Sequence, residues 1–408
     1  MRLRCPIMKA AVLSLPVLSL LLSPAGASDW PRYLGPDGEA TVTGDLGATV
    51  KPATVWQADV GKGCAGFVVA GDRAIVAGNK DDNDIIWCFD KASGKVLWKY
   101  DYPEELNPKL YEGGPNVTPT VDGDRVYTLS RTGNLFCLSL EDGSVKWHRH
   151  YQADFGGKAP SWGYSAAPVV RGDWLYCLPC GKDAAVYALD KMTGEVMSKF
   201  GGREKPGYAT PIFFEYKGKN ALGAFHGREF VAYDLDTGKE LFDFLWRTSY
   251  DVNASNPQFH DDKLFLASGY GMGYVVLDLS SGRPQVMHKD EDTRMIFQNS
   301  ILADGDIIGV FGDKNIDAEL IRMDMATGKV RWRERMPGTR GSSLMVGDSV
   351  VVLAETGDLV VGKADKSGWK ESGRAKILGG KCWAPVAYAD GLVFAKTNDG
   401  KAAVVRVK

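Results

Sequence analysis

Residues 87–98 read Trp-Cys-Phe-Asp-Lys-Ala-Ser-Gly-Lys-Val-Leu-Trp. A short apolar strand runs into an Asp-x-x-x-Gly turn, and the strand that follows carries Trp four residues past the glycine. The phrase recurs, with turn glycines at Gly94, Gly143, Gly194, Gly238, Gly282, Gly328 and, more weakly, Gly368. Successive spacings are 49, 51, 44, 44, 46 and 40 residues. Asp precedes the glycine by four at Asp90, Asp190, Asp234, Asp278 and Asp324, and Ser139 takes its place once. Trp follows by four at Trp98, Trp147 and Trp332; Ser198, Phe242 and Val286 stand there in other copies. A period of about 40–50 residues, filled with short strands and turn signals, predicts a propeller.

Each unit divides into four strands. In the first, over 65–100, these are expected near Phe67–Val69, Ala74–Ala77, Ile85–Phe89 and Lys95–Tyr100. A Gly-Asp pair turns the first strand into the second, again at Gly123-Asp124, Gly172-Asp173, Gly305-Asp306 and Gly347-Asp348, because these residues accept the left-handed backbone of tight hairpins. Arg171-Gly172-Asp173 spells a cell-adhesion tripeptide, but its place in this series reads it as a turn. Further units start near Val117, Ala166, Ala209, Ser255, Ser300, Ser342 and Ala384, which makes eight. The last stops before a fourth strand. Ala53–Ala58 resembles Ser144–Arg149, with Trp56 matching Trp147, so the N-terminal segment is expected to complete the final blade and close the ring. The expected fold is all-β, an eight-bladed propeller over 53–408. Stretches 101–115, 151–164, 245–254, 288–298 and 371–383 read as connectors into the innermost strands.

Composition is that of an ordinary globular chain, 44% hydrophobic and 25% charged, with a net charge of −2 that gives no general pull toward nucleic acid. Residues 1–27 read as a secretory signal: Arg2, Arg4 and Lys9 precede an apolar run from Ala10 to Leu22, and Ala25-Gly26-Ala27 offers a cleavage site. Residues 28–52, opening Asp29-Trp30-Pro31-Arg32-Tyr33, read as a leader that docks on the propeller. No later segment is apolar enough to span a bilayer. The chain is therefore expected to be exported to the periplasm or beyond, and monomeric.

The repeat Asp-x-x-Thr/Ser-Gly-Lys/Glu-x-x-Trp resembles that of pyrroloquinoline-quinone-like β-propellers over about 53–408. That resemblance implies docking of the Trp between neighbouring blades. The family includes quinoprotein alcohol dehydrogenases, in which pyrroloquinoline quinone is held near the axis with calcium, and cofactor-free propellers of the BamB type. The dehydrogenases carry an adjacent Cys-Cys disulfide and long inserted loops. This chain has Cys177-Leu178-Pro179-Cys180 instead, and no comparable insertions. The resemblance thus leans toward a propeller without a cofactor, with the quinone and calcium as the alternative.

Cys177-x-x-Cys180 follows a strand, not a helix N-terminus, and lacks two further metal ligands at suitable spacing, so a structural hairpin pair is the expected reading. Asp81-Asp82-Asn83-Asp84 and Asp290-Glu291-Asp292 lack the spaced calcium loop and read as solvated turns. Neither catalytic residues nor metal ligands are assigned.

Aligning the units places Cys64, Asn116, Ser165, Tyr208, Ala254, Gln298, Arg340 and Cys382 at the entrance to each first strand, near the axis. Trp162, Tyr164, Tyr208, Asn299, Arg340 and Trp383, with His226 from a nearby loop, form the candidate ligand site. Such a mixture suits a polar small molecule, a sugar or a peptide, or else merely plugs the channel. Cys64 and Cys382 share one rung of blades one and eight, which closure makes neighbours. They are the candidate disulfide, with two free thiols as the competing reading; Cys88 and Cys137, farther from the axis, are expected to stay free. The function expected is a non-catalytic binding or scaffold protein for protein or cell-envelope partners, acting through the axial face. A quinone-dependent oxidoreductase or a carbohydrate binder is the alternative.

Overall fold

The computed structural model describes residues 29–202 and 204–408. The proposed signal at 1–27 lies outside them. Eight sheets of antiparallel strands follow one another around an axis. In blade one the strands are Val68–Ala70, Arg73–Lys80, Asn83–Asp90 and Val96–Pro103, from the axis outward. Blade eight takes Ala387–Ala389, Leu392–Lys396 and Lys401–Arg406 from the C-terminus, and Ala53–Asp59 as its outer strand. The ring is closed as the sequence indicates.

The second and third strands of the blades are largely buried and the outer strands are half exposed. Ser349–Ala354 of blade seven is wholly buried, whereas Gln285–Asp290 of blade five is mostly open. The repeated phrase explains how blades grip one another. In its turn the Asp90 carboxylate accepts the Ser93 N–H, and Gly94 N–H closes on Asp90 O. Gly94 has φ +71°, which suits glycine, and a Cβ there would lie 2.6 Å from the Trp56 ring. Trp56 of blade eight packs on that turn and donates its indole N–H to Lys91 O at 2.9 Å. Trp98 repeats this on Gly143 with Leu140 O, and Trp147 on Gly194 with Lys191 O. Glycine and tryptophan are therefore two halves of one joint between adjacent blades. In two copies that lack Trp, those with Ser198 and Val286, the residue two places further along the same strand face takes over: Phe200 packs against Gly238 and His288 against Gly328, whereas Gly282, the turn that follows the Phe242 copy, meets only Lys217 Nζ. The weak copy at Gly368 is a shorter turn, in which Asp365 accepts the N–H groups of Ser367 and Gly368.

Near the axis, polar side chains tie each blade to the next. Thr118 Oγ1 accepts Gly66 N–H, Thr210 Oγ1 accepts Ala167 N–H, and Ser342 Oγ accepts Val386 N–H, all at 3.0 Å. The connectors are shorter than expected. Outer strands run on to Pro103, Asp290 and Lys376, and a one-turn helix, Tyr151–Phe155, sits in the second connector.

The leader is built into the ring. Trp30 bridges Val69 in blade one, and Val121 of blade two donates to Pro31 O. Thr41–Val42 pairs in parallel with the inner strand Gly341–Val346 of blade seven, making that sheet five-stranded. Trp30, Leu34, Ala40, Leu46 and Val50 are buried. All these contacts lie at the turns between first and second strands, so the leader crosses one mouth of the channel and covers it.

Candidate functional site at the open axial mouth

The connectors and the turns between second and third strands form the opposite face. Two arcs of side chains line its centre. The first joins blades two to five. The Trp162 ring lies 6.2 Å from Tyr208 and 6.3 Å from Tyr250, and Tyr250 lies 5.6 Å from Tyr270. Trp162 is held by its indole N–H on Lys109 O, by Asn116 donating to its carbonyl, and by the Lys109 ammonium 5.7 Å from its ring. Beside it, Leu110 at the tip of the first connector is 89% exposed, and Tyr250 is 62% exposed.

The second arc spans blades six to eight. Phe297 and Trp383 meet at 4.9 Å, and the Arg340 guanidinium lies 5.5 Å and 5.2 Å from their centroids. Glu355 accepts the Trp383 indole N–H at 2.7 Å and pairs with Arg340 at 3.3 Å. Burial alone would raise the Glu355 carboxyl, but the bonds from Trp383 and Thr339 and the Arg340 charge hold it below its usual range. Lys381, 4.5 Å from the Trp383 ring, pairs with Glu112 at 2.8 Å. Each cation of this arc thus has its own carboxylate.

Below Arg340 is a recess of about 30 Å³, room for about one water, lined by Phe297, Trp383 and Pro385 and by Tyr33, which rises into it from the leader. The channel is consequently blind.

Of the seven candidate site residues, Trp162 and Tyr208 meet in the first arc, and Arg340 and Trp383 in the second. Asn299 borders the recess below Arg340, and Tyr164 and His226 lie elsewhere. Tyr164 is buried, packed edge-on to Tyr151, with its hydroxyl on Pro179 O. Asn299 is buried and spends its amide on the backbone of Ser343, accepting N–H and donating to C=O, which clamps blade six to blade seven. His226 is buried between blades three and four, with Nε2 3.2 Å from the Tyr233 hydroxyl and Nδ1 3.7 Å from Cys180 Sγ. Tyr233 donates its single proton to Glu204, so Nε2 carries the imidazole proton. Phe297, Tyr250, Tyr270, Glu355 and Lys381 went unassigned in the sequence. Phe297 and Lys381 each precede an entrance residue by one, and Glu355 sits in a turn on the same face, so the alignment held that signal.

Burial pushes the His226 imidazole down from 6.5 to about 4, and the Glu204 charge only partly opposes this. The neutral form is the folded one, so stability is complete above the unfolded value and falls as pH drops through the folded value. His226→Gln is therefore expected to flatten melting temperature against pH between about 6.5 and 4. An unchanged slope would assign the acid sensitivity to other groups.

The expected Cys64–Cys382 latch is not formed: both are free thiols. The two blades do converge, but the cysteines turn to different neighbours. Cys64 N–H bonds Pro115 O in the first connector, and its thiol lies near Lys396, Glu112 and Lys381. Cys382 N–H bonds Glu355 O, and its thiol rests on Gly380 O at 3.8 Å. Burial raises both thiols to about 12. Peptide mapping of protein denatured without reductant is expected to find both fully alkylated; a cross-linked Cys64–Cys382 peptide would restore the latch. Cys88 and Cys137 lie buried in the third strands of blades one and two.

Calcium takes six to eight oxygen ligands. Among the described residues no three His, Cys, Asp or Glu side chains converge as a metal site, and Glu355 and Glu112 are already committed to cations. These residues do not fit the calcium that accompanies a quinone.

The repeat, the closed ring and the inter-blade joint define a pyrroloquinoline-quinone-like propeller. A family model described as "Outer membrane protein assembly factor BamB" matches residues 44–177 and 105–334, and the chain belongs to that family. Comparison with curated proteins gives no match. Among solved structures, BamB from Moraxella catarrhalis is 15% identical with a TM-score of 0.64, over 87% of this chain and 100% of that one. A quinohemoprotein alcohol dehydrogenase from Comamonas testosteroni is 13% identical with a TM-score of 0.65, over 93% and 80%. A europium-containing methanol dehydrogenase is 11% identical with a TM-score of 0.66, over 93% and 98%. At these identities the likeness is one of fold. Among the described residues no helix is long and apolar enough to cross a membrane.

Proposed function

We propose that this chain is a non-catalytic scaffold of the cell envelope that holds a protein partner on its open axial face. The observation that carries this is the exposed group Leu110, Tyr250 and Tyr270, with half-buried Trp162 beside them, at the rim of the first arc. Exposed aromatic side chains on a rigid ring supply contact area with little rotamer entropy to lose, which suits a protein interface. Membership of a family described as an outer membrane assembly factor supports an envelope role, and the N-terminal signal supports export. The quinone-dependent alternative is weakened by the committed carboxylates at the mouth.

A photo-cross-linking residue at position 110, used in cells that express the protein natively, tests the reading. A discrete cross-linked protein, lost when Tyr250 and Tyr270 are both changed to Ala, is the expected result. Equal capture by a cross-linker placed on the leader-covered face would refute the assignment of the surface.

A further inference from the structure

The Asp81-Asp82-Asn83-Asp84 turn of blade one is solvated only in part. Asp81 and Asp82 are exposed as expected, but Asp84 is 0% exposed. Around it stand Asn79, Tyr102 and Glu104, all buried. Asn79 and Tyr102 flank it in register on the neighbouring strands. Asp84 Oδ1 accepts one Asn79 amide proton at 2.8 Å, and Glu104 O accepts the other at 2.8 Å. Asp84 Oδ2 has a long contact, 3.5 Å from the Tyr102 hydroxyl. Glu104 Oε2 accepts from Thr132 and Asn134 of blade two. Among the described residues, Glu104 Oε1 and Asn79 Oδ1 are buried acceptors that no hydrogen bond reaches. The cluster is short of donors, and a proton on one carboxyl supplies what it lacks.

Two buried carboxylates repel unless a cation stands between them. The two cations whose fields reach Asp84 are bonded to backbone carbonyls instead. Arg131 of blade two turns Nη1 to Leu106 O and Asn107 O, and buried Lys396 of blade eight gives its ammonium to Ala77 O. The Tyr111 phenol of the first connector also feels the Asp84 charge. Glu104 is the root of that connector, whose tip is Leu110. Glu104 N–H bonds Asp82 O, Leu106 N–H bonds the Asp82 carboxylate, and Lys109 O holds the Trp162 indole. A change at Glu104 therefore reaches the first arc.

We propose that Asp84 makes the first connector pH-sensitive: with a proton on Asp84 the connector stays seated, and loss of that proton drives Glu104 from the interior and frees 104–112. The consequence for binding rests on the partner surface proposed above; the movement itself does not. Burial, together with the Glu104 charge, raises the Asp84 carboxyl from 3.8 to about 7, against the bonds from Asn79 and Tyr102 and the Arg131 charge. The folded chain thus holds a proton that an exposed carboxyl has already lost. This stabilisation is complete below the unfolded value of 3.8 and is lost as pH rises through about 7.

Hydrogen exchange of the protein alone, read by mass spectrometry at about pH 5.5 and about pH 8, tests the movement. Asp84→Asn keeps the shape and fixes a neutral group that can donate. The ratio of parent to variant exchange cancels the intrinsic effect of pH on exchange. For 104–112 that ratio is expected to rise about tenfold or more between the two pH values, and for Gly273–Asp278 of blade five to stay level. Glu104→Gln is the second variant. It removes the repulsion, so at the higher pH its connector is expected to exchange as slowly as that of Asp84→Asn. Capture at position 110 is expected to weaken at the higher pH in the parent and not in Asp84→Asn. A level ratio for 104–112 would overturn the proposal. An equal rise in blade five would overturn it too, by making Asp84 a group of general stability alone. Exchange needs no partner, so failed capture at both pH values would refute the partner surface and leave the exchange result standing.

Discussion

Removal of residues 53–60 is expected to leave a chain that aggregates or loses most of its stability. Ala53–Asp59 forms the whole outer strand of blade eight, paired from Ala53↔Arg406 to Asp59↔Lys401. Without it the strand Lys401–Arg406, of which four residues are buried, presents an apolar edge to solvent. The same deletion removes Trp56 from its seat on the Gly94 turn, so the joint between blades eight and one opens too. Soluble yield and thermal melting measure the outcome. A deletion that melts like the parent would show that seven complete blades and one partial blade hold the ring unaided.

Trp98→Ala is expected to cost roughly 3–5 kcal/mol, the range for emptying a buried aromatic site. Trp98 is 8% exposed, packs against Gly143 and donates to Leu140 O. The reciprocal change isolates the joint from the cavity. Gly143 has φ +72°, and a Cβ there would stand 2.6 Å from the Trp98 ring. Gly143→Ala should therefore destabilise by about 2 kcal/mol or more, from backbone strain and overlap together. In a double-mutant cycle, Gly143→Ala should cost less once Trp98 is Ala, because the overlap is gone and only the strain remains. Additive effects, or a change below about 1 kcal/mol for Trp98→Ala, would remove the joint from the account of stability.

The fold was legible because its decisive contacts are periodic. Asp90, Gly94 and Trp98 lie within one short phrase, and each copy locates a turn, a strand and a contact with the next blade. The substitutions Phe200 and His288 were not legible as joints, because the phrase counts four residues from the glycine and these side chains stand at six. Only the two-residue period of a strand, known once the strand exists, identifies them as equivalents. The candidate site was partly legible. Alignment finds which residues enter the axial end, but not which way each side chain turns. Asn299 follows Gln298 directly in sequence, yet it points between blades to Ser343. Cys64 and Cys382 share a rung and still face different neighbours, since register sets position along a strand and says nothing of the connector each backbone bonds to. Tyr33 was beyond such reasoning, because its segment has no counterpart in the repeats.

The pairing of Ala53–Asp59 with Lys401–Arg406 also fixes an order in time. The partner of the first propeller strand is the last strand of the propeller in sequence order, and Lys401 meets Asp59 across 342 residues of chain. During synthesis seven blades can assemble from local hairpins, while the N-terminal segment waits. That waiting segment carries Trp30, Leu34, Val50 and Trp56, all of which end up buried. Until Lys401–Arg406 is in place, these side chains and the open sheet edge are available to any other chain. Contacts so distant in sequence form slowly. The final, rate-limiting event should therefore be closure rather than blade formation, and a holding chaperone would act on residues 30–59 in that interval.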